Sequence, residues 1–219
     1  MKFFLLNKNF NFSSAIFLQN YFSRKGIKNI VLCGGNTVKQ IYNKINFHCL
    51  KRRFYLSDER YVQIQSCFSN SLHLKELISK KNFFFPKIYK NYEHTLLSYE
   101  KKLPNNLDLA VVSYANDGHF FSIFPHKKKI ICYSDRLIVV RPQNKILRIS
   151  INLGTFNTIK EKFFIIKDVK RLHNLLDNIF KKKGNFRSLN LSDYKNYNFL
   201  LHKNCEKYLK NKKIGYIKV

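Results

Sequence analysis

Hydrophobic and polar residues follow two patterns along this chain. Short apolar runs predict strands, and longer segments with apolar residues three or four apart predict helices. The predicted strands lie within residues 1–12 and at residues 30–33, 54–56, 109–112, 129–132, 137–140, 147–151 and 163–166. The predicted helices run from the caps Ser13 and Ser14 to about residue 24, then over residues 36–45, 69–79, 92–102, 168–181 and 194–209.

Predicted strands and helices alternate for most of the chain, which indicates an α/β fold. We expect a three-layer, Rossmann-like architecture, with a mostly parallel central sheet and helices on both faces. The four prolines and seven glycines are scattered, and no linker divides the chain. The sequence therefore predicts one domain over residues 1–219.

The apolar runs are too short for a membrane protein. None reaches the roughly 18 residues of a membrane-spanning helix, and residues 7–9 interrupt the N-terminal run too early for a secretion signal. The five cysteines are odd in number and show no CxxC spacing, which argues against a disulfide framework or a zinc site. We expect a cytoplasmic protein with no membrane partner, no metal and no cofactor, as a monomer or weak homodimer.

The chain is strongly basic, with 41 Lys and Arg against 13 Asp and Glu and a formal net charge of +28. Such a charge can indicate a nucleic-acid partner. Here the lysines are spread from end to end, alanine occurs three times, and tryptophan is absent. This composition is typical of an AT-rich genome, so we interpret the charge as compositional and do not expect a nucleic-acid partner. A basic surface would still attract an anionic substrate.

Residues 107–125, LDLAVVSYANDGHFFSIFP, contain the first candidate for chemistry. A buried strand leads directly into Asp117, Gly118 and His119. Histidine exchanges a proton near neutral pH, and a nearby acid can orient it for proton transfer. Taken alone, the triplet also fits an ordinary turn with a solvated histidine.

A second segment, VLCGGNT at residues 31–37, predicts a phosphate cradle. Gly34 and Gly35 let the backbone approach a ligand, and Asn36 and Thr37 add side-chain donors at the start of a predicted helix. A plain glycine-rich turn is the alternative reading of this segment.

A third segment, FYLSDER at residues 54–60, places Asp58, Glu59 and Arg60 after a strand. An arginine there can stabilise an oxyanion or hold a phosphate. A charged cluster at the start of a surface loop is the alternative.

Together these segments resemble the 6-phosphogluconolactonase family, in the glucosamine/galactosamine-6-phosphate isomerase superfamily. The family's Gly-Gly-Ser-Thr-Pro, Asp-Glu-Arg, Ser-Asn and Asp-Gly-His-Thr-Ala-Ser-Leu-Phe-Pro motifs are similar to residues 34–38, 58–60, 69–70 and 117–125. A later Arg-Ile-Thr strand is similar to residues 148–150, and the strand-then-Lys segment to residues 163–170. The resemblance spans residues 28–182, and several motifs in register are more specific than one alone.

The resemblance implies hydrolysis of 6-phospho-D-glucono-1,5-lactone in the oxidative pentose phosphate pathway. It implies His119 as the general base, Asp117 as its support and Arg60 as the oxyanion or substrate anchor. Substrate and phosphate binding would fall to the remaining candidates, which are Gly34, Gly35, Asn36, Thr37, Asp58, Arg148 and Lys170.

The chain departs from the family next to the histidine. The family's Gly-Met-Gly is Ser113-Tyr114-Ala115 here, and its Thr-Ala is Phe120-Phe121. The lost glycines reduce backbone freedom, and the two phenylalanines could narrow the pocket or make it harder to charge His119. Two alternatives stay open: a glucosamine-6-phosphate deaminase-like isomerase, and a degenerate non-catalytic relative that binds nucleic acid.

Overall fold

The computed structural model describes residues 1–6, 9–125, 128–143, 145–180 and 194–219. Helices and strands alternate through most of it. The strands are β1 (Lys2–Leu6), β2 (Asn29–Leu32), β3 (Arg53–Leu56), β4 (Asp58–Arg60), β5 (Phe83–Phe84), β6 (Leu109–Ser113), β7 (Lys128–Tyr133), β8 (Leu137–Pro142), β9 (Arg148–Ile151), β10 (Glu161–Ile166), β11 (Tyr197–His202) and β12 (Ile217–Lys218). The α-helices are α1 (Phe10–Phe22), α2 (Asn36–Tyr42), α3 (Asn70–Leu77), α4 (Tyr92–Glu100), α5 (Leu153–Thr158), α6 (Val169–Phe180) and α7 (Glu206–Asn211).

Eight parallel strands form the central sheet, in the order β12-β1-β11-β10-β6-β2-β3-β5. The chain moves across this sheet in one direction from β1 to β5 and then returns. Because crossovers between parallel strands are right-handed, the reversal places α1 to α3 on one face and α4, α6 and α7 on the other. The parallel central sheet and the α/β fold class are confirmed.

A second sheet, which the sequence did not predict, is antiparallel and has the order β4-β9-β8-β7. The chain passes from one sheet to the other at Ser57. Its N–H donates to Leu32 O on the central sheet at 2.9 Å, and its carbonyl accepts from Ile151 N of the second sheet at 2.9 Å. Residues 58–60 are therefore a paired strand, so the alternative reading of a charged cluster at the start of a surface loop was wrong.

The central strands β2, β6 and β10 are buried on both faces, as parallel strands between layers require. Their carboxyl ends are level, since Leu32 pairs with Val111, and Ile165 pairs with Ser113. The loops that follow these strands therefore meet at one edge of the sheet. In the described part of the chain, no helix is long and apolar enough to cross a membrane.

Two helix predictions were wrong. The first helix begins at Phe10, not at the serines, because Asn9 Oδ1 accepts the free N–H of Phe12 at 3.3 Å. The predicted helix at residues 194–209 instead contains the central strand β11 at Tyr197–His202, which pairs with β1 and β10, and α-helix begins only at Glu206. Residues 199–201 are consecutive apolar residues and residues 197–201 are all buried, a pattern typical of a strand covered on both faces. The Asp168 cap of α6 is confirmed, and its predicted end at Lys181 lies outside the described residues.

The assignment of β11 can be tested by two adjacent substitutions. Phe199 and Leu200 point to opposite faces of the sheet, and both are fully buried. We expect Phe199→Ala to lower the free energy of unfolding by about 3–5 kcal/mol and Leu200→Ala by about 2–5 kcal/mol in urea titrations. If this segment were instead a helix with one buried face, only one of the two substitutions would lower the free energy of unfolding. Leu97→Ala, at a half-exposed position on α4, is the control and should change stability by less than about 0.5 kcal/mol.

Candidate active site

The loop after β6 is a tight reversal that presents Asp117 and His119. Ala115 N donates to His119 O at 2.9 Å, Gly118 N donates to Ala115 O at 3.0 Å, and Tyr114 bridges to Phe120. Gly118 has φ +82°, which favours glycine at this position. The loop therefore closes on itself and holds both side chains at the carboxyl edge of the sheet.

The bulky residues that depart from the family pattern around the histidine are directed into the core. Tyr114 and Phe120 are fully buried, and Phe120 packs 4.5 Å from Phe156 between ring centroids. Phe121 is also buried, and its φ of +52° is unusual for a non-glycine residue. The two phenylalanines thus add bulk to the core, and neither lines a described cavity of the site.

His119 and Asp117 form a hydrogen-bonded pair, with Nδ1 of the histidine 2.5 Å from Oδ1 of the aspartate. Burial lowers the pKa of His119 and outweighs the opposing effect of Asp117. Burial would raise the pKa of Asp117, but the interaction with His119 dominates and lowers it. An ionised Asp117 can only accept, so Nδ1 carries the proton and Nε2 keeps a free lone pair.

Arg148 lies next to this pair, across the ring of Phe124. The Phe124 ring stacks on His119 with centroids 4.6 Å apart, and the Arg148 guanidinium carbon is 5.4 Å from the same ring centroid. Within the described residues, the buried Nε of Arg148 has no hydrogen-bond partner. Arg148 also pairs directly opposite Arg60 across β4 and β9, and like charges in that position destabilise a sheet. The two guanidiniums therefore favour an anion between or beside them.

Asn70 connects Arg60 to the glycine loop. Arg60 Nη1 donates to Asn70 Oδ1 at 2.9 Å and to Phe68 O at 2.7 Å, and Asn70 Nδ2 donates to Asp58 O at 2.9 Å. A Cβ on Gly34 would overlap the Asn70 side chain, so only glycine fits there. The cavity beside them has a volume of about 350 Å³, and its lining includes Gly34, Gly35, Asn36, Lys39, Arg60 and His73.

The two acids of the third segment, Asp58 and Glu59, support the site through buried hydrogen bonds. Asp58 is buried, and its carboxylate accepts from Ser57 Oγ and Ser122 Oγ, both at 2.7 Å. Glu59 is also buried and accepts from four donors, of which Asn70 N at 2.6 Å and Ser71 N at 2.8 Å begin α3. The hydrogen bond from Ser122 to Asp58 therefore connects the loop after His119 to β4. The hydrogen bonds to Glu59 connect the start of α3 to the same strand.

The structure brings most of the predicted residues together at the carboxyl edge of the central sheet. They are Gly34, Gly35, Asn36, Asp58, Arg60, Asp117, His119 and Arg148. Thr37, half-buried, and Lys170, exposed, lie in the first turns of α2 and α6. Within the described ranges, no side-chain hydrogen bond or ion pair joins either to the other candidates.

Sequence reasoning missed three supporting residues. Asn70 and Ser122 belong to matched motifs but carry no obvious chemistry of their own. Arg171 Nε donates to Asn116 Oδ1 at 2.8 Å, which holds the histidine loop against α6. In the sequence, the one signal for Arg171 is its position next to Lys170. Across the described ranges, no three or more His, Cys, Asp or Glu side chains group into a metal site.

Comparison with known proteins identifies the family of this chain. The family model described as "Glucosamine-6-phosphate isomerases/6-phosphogluconolactonase" matches residues 14–186. The chain belongs to this family. It is 26% identical to the 6-phosphogluconolactonase of Thermotoga maritima over 164 residues, which cover 68% of this chain and 73% of the relative. It is 25% identical to the Synechocystis sp. 6-phosphogluconolactonase over 173 residues, or 70% of this chain and 72% of that protein.

The fold agrees with the same family. The crystal structure of a 6-phosphogluconolactonase from Shewanella baltica superimposes with a TM-score of 0.76 at 15% identity, over 92% of this chain and 97% of the other. The family resemblance read from the motifs is confirmed, although the comparisons leave the role of each site residue as a prediction.

The close packing of Asn70 against Gly34 predicts that substitutions at the two residues have non-additive effects on stability. Gly34→Ala should lower the free energy of unfolding by roughly 1–3 kcal/mol, because the new methyl group overlaps Asn70. Most of that loss should vanish in an Asn70→Gly background, which a double-mutant cycle in urea would measure. Gly35→Ala is the matched control. It meets no atom within 4 Å but has φ +103°, so its cost should be equal in both backgrounds.

The charges around His119 predict opposite shifts of its pKa. Asp117 raises that pKa and Arg148 lowers it. Asp117→Asn should therefore lower the pKa of His119 further, and Arg148→Met should raise it. Titration of the imidazole by heteronuclear NMR measures both, and the other histidine resonances report any general change of fold. Shifts in the same direction would contradict the described arrangement.

Proposed function

We propose that this protein hydrolyses 6-phospho-D-glucono-1,5-lactone to 6-phospho-D-gluconate. The observation that carries the proposal is the His119–Asp117 pair beside two cross-strand arginines. This combination offers a proton acceptor next to a site for an anion. Relatives named 6-phosphogluconolactonase support the choice of substrate. We further propose that the protein acts in the oxidative pentose phosphate pathway and in the cytoplasm.

His119 acts as the general base. With Nδ1–H donated to Asp117, Nε2 accepts a proton from water as the water oxygen attacks the lactone carbonyl carbon. The lowered pKa of His119 keeps the imidazole neutral at pH 7, which is the form that can accept a proton. Asp117 fixes the tautomer and stabilises the imidazolium that forms.

Attack produces a tetrahedral intermediate with a negative oxygen. Arg148 contacts the Phe124 ring that stacks on His119, and its buried Nε has no hydrogen-bond partner among the described residues, so we assign it as the donor to this oxyanion. The intermediate collapses as the bond from the carbonyl carbon to the ring oxygen breaks. His119 returns its proton to that oxygen, which leaves a hydroxyl group and a carboxylic acid that ionises.

The phosphate occupies the cavity beside the glycine loop. Gly34, Gly35 and Asn36 line that cavity together with Arg60, whose guanidinium supplies the fixed positive charge. Thr37 and Lys170 extend the same edge and contact the phosphate once the substrate is bound. Asp58 supports this arrangement indirectly, because its buried carboxylate is already hydrogen-bonded to Ser57 and Ser122.

An isomerase or deaminase of the same superfamily is less well supported. That chemistry uses an acid shortly after the Asp-Gly-His triplet, whereas residues 122–125 are Ser-Ile-Phe-Pro. The one polar side chain among them, Ser122, donates its hydroxyl hydrogen to Asp58.

The proposal predicts a histidine-dependent rate. His119→Ala should reduce the enzymatic hydrolysis of freshly prepared lactone about 10²- to 10⁴-fold, measured as acid release in a pH-stat after subtraction of the spontaneous rate. Because the base must be neutral, wild-type kcat/KM should fall only as the pH drops below the usual histidine value of about 6.5. His48→Ala, at an exposed position, is the control and should keep the wild-type rate. Full activity of a folded His119→Ala protein would refute the assigned base.

A further inference from the structure

A larger cavity, with a volume of about 950 Å³, lies behind the strand that carries Arg60. Ser69 lines both this cavity and the cavity of the candidate active site, and its hydrogen-bond partners Glu59 and Ser71 line the larger cavity. The proposed lactonase reaction makes no use of this space. Its volume is within the range of known small-molecule sites.

The walls of this cavity are mainly apolar. They come from the segment after β4, which supplies Val62 and Ile64, and from the segment around β5, which supplies Phe83, Phe85, Pro86 and Ile88. Several of these side chains are only partly buried by the rest of the protein. An apolar group that entered the cavity would therefore remove hydrophobic surface from water.

The mouth of the cavity is positively charged. Four exposed lysines line it, which are Lys80, Lys87, Lys90 and Lys102. The one acid of the lining is Glu59, which is buried and already accepts four hydrogen bonds. Among the described residues, none of the four lysines forms an ion pair with an acid. The cavity thus combines an apolar interior with unbalanced positive charge at its opening.

We propose that this cavity binds an anionic amphiphile with a single alkyl chain, such as a fatty-acid carboxylate. The chain fills the apolar interior, and the carboxylate meets the lysines. A nucleotide fits less well because bases stack on aromatic rings, and two of the lining rings already stack on a neighbour: Phe84 on Tyr55 at 5.0 Å and Tyr89 on His94 at 4.1 Å.

Isothermal titration calorimetry with octanoate, decanoate and dodecanoate tests this assignment. If the chain is buried, affinity should rise roughly fourfold for each added methylene, since each contributes about 0.8 kcal/mol. Affinity independent of chain length would indicate ionic attraction at the surface alone and would overturn the proposal. Tighter binding of ATP than of dodecanoate would overturn it in favour of a nucleotide site.

Three variants locate the binding. Ile64→Asp places a charge on the apolar wall and should weaken dodecanoate at least about tenfold. Ile130→Asp, at a half-exposed site on β7, is the matched control and should leave the affinity unchanged. Replacement of Lys87 and Lys90 together by alanine should weaken dodecanoate roughly 2- to 30-fold, by the usual strength of exposed ion pairs. Equal losses in Ile64→Asp and Ile130→Asp would refute the site.

Circular dichroism would confirm that each variant folds. The titrations measure binding and do not depend on hydrolysis, so failure of this proposal would leave the proposed lactonase reaction untouched. An Arg148→Met protein should also bind dodecanoate normally, because Arg148 belongs to the other site.

Discussion

The buried carboxylate of Asp58 is the interaction on which the rest of the site depends. Its position immediately follows Ser57, where the chain leaves the central sheet for the second one. One oxygen accepts from Ser57 and the other from Ser122, which lies three residues after His119. An ionised carboxylate inside a protein is costly unless it is hydrogen-bonded, so these two hydroxyl groups are held firmly. The strand with Arg60 and the loop with His119 are thereby fixed to each other.

Local charge in the site differs in kind from the charge of the whole chain. The net charge of +28 comes from residues spread along the whole chain, and it bears on solubility and on the attraction of anions. Arg60 and Arg148 are instead forced together by the pairing of β4 with β9. Their mutual repulsion is a cost that an anionic ligand would relieve. This arrangement of two guanidiniums supports the proposed anionic substrate more strongly than the overall composition does.

The bulky side chains that depart from the family motif lie in the hydrophobic core. Tyr114 and Phe120 face each other across the histidine loop, and both side chains are fully buried. Phe120 then extends an aromatic cluster with Phe156 and Phe164. The loop gives up glycine flexibility and gains apolar contacts that hold its shape. Arg171 adds a hydrogen bond from α6 to the same loop, so its conformation is supported on two sides.

The sequence by itself determined the α/β class, most of the strands and the motifs that carry His119, Asp117 and Arg60. These are local properties, since apolar runs and glycine turns depend on neighbouring residues. Only the tertiary structure decided that residues 197–202 form a central strand, because an apolar run in a strand covered on both faces resembles that of a buried helix. Only the tertiary structure revealed the second sheet and the pairing of Arg60 with Arg148, which are 88 residues apart in the sequence. It also alone showed the bond from Ser122 to Asp58, because contacts between distant segments depend on how the strands are ordered and aligned.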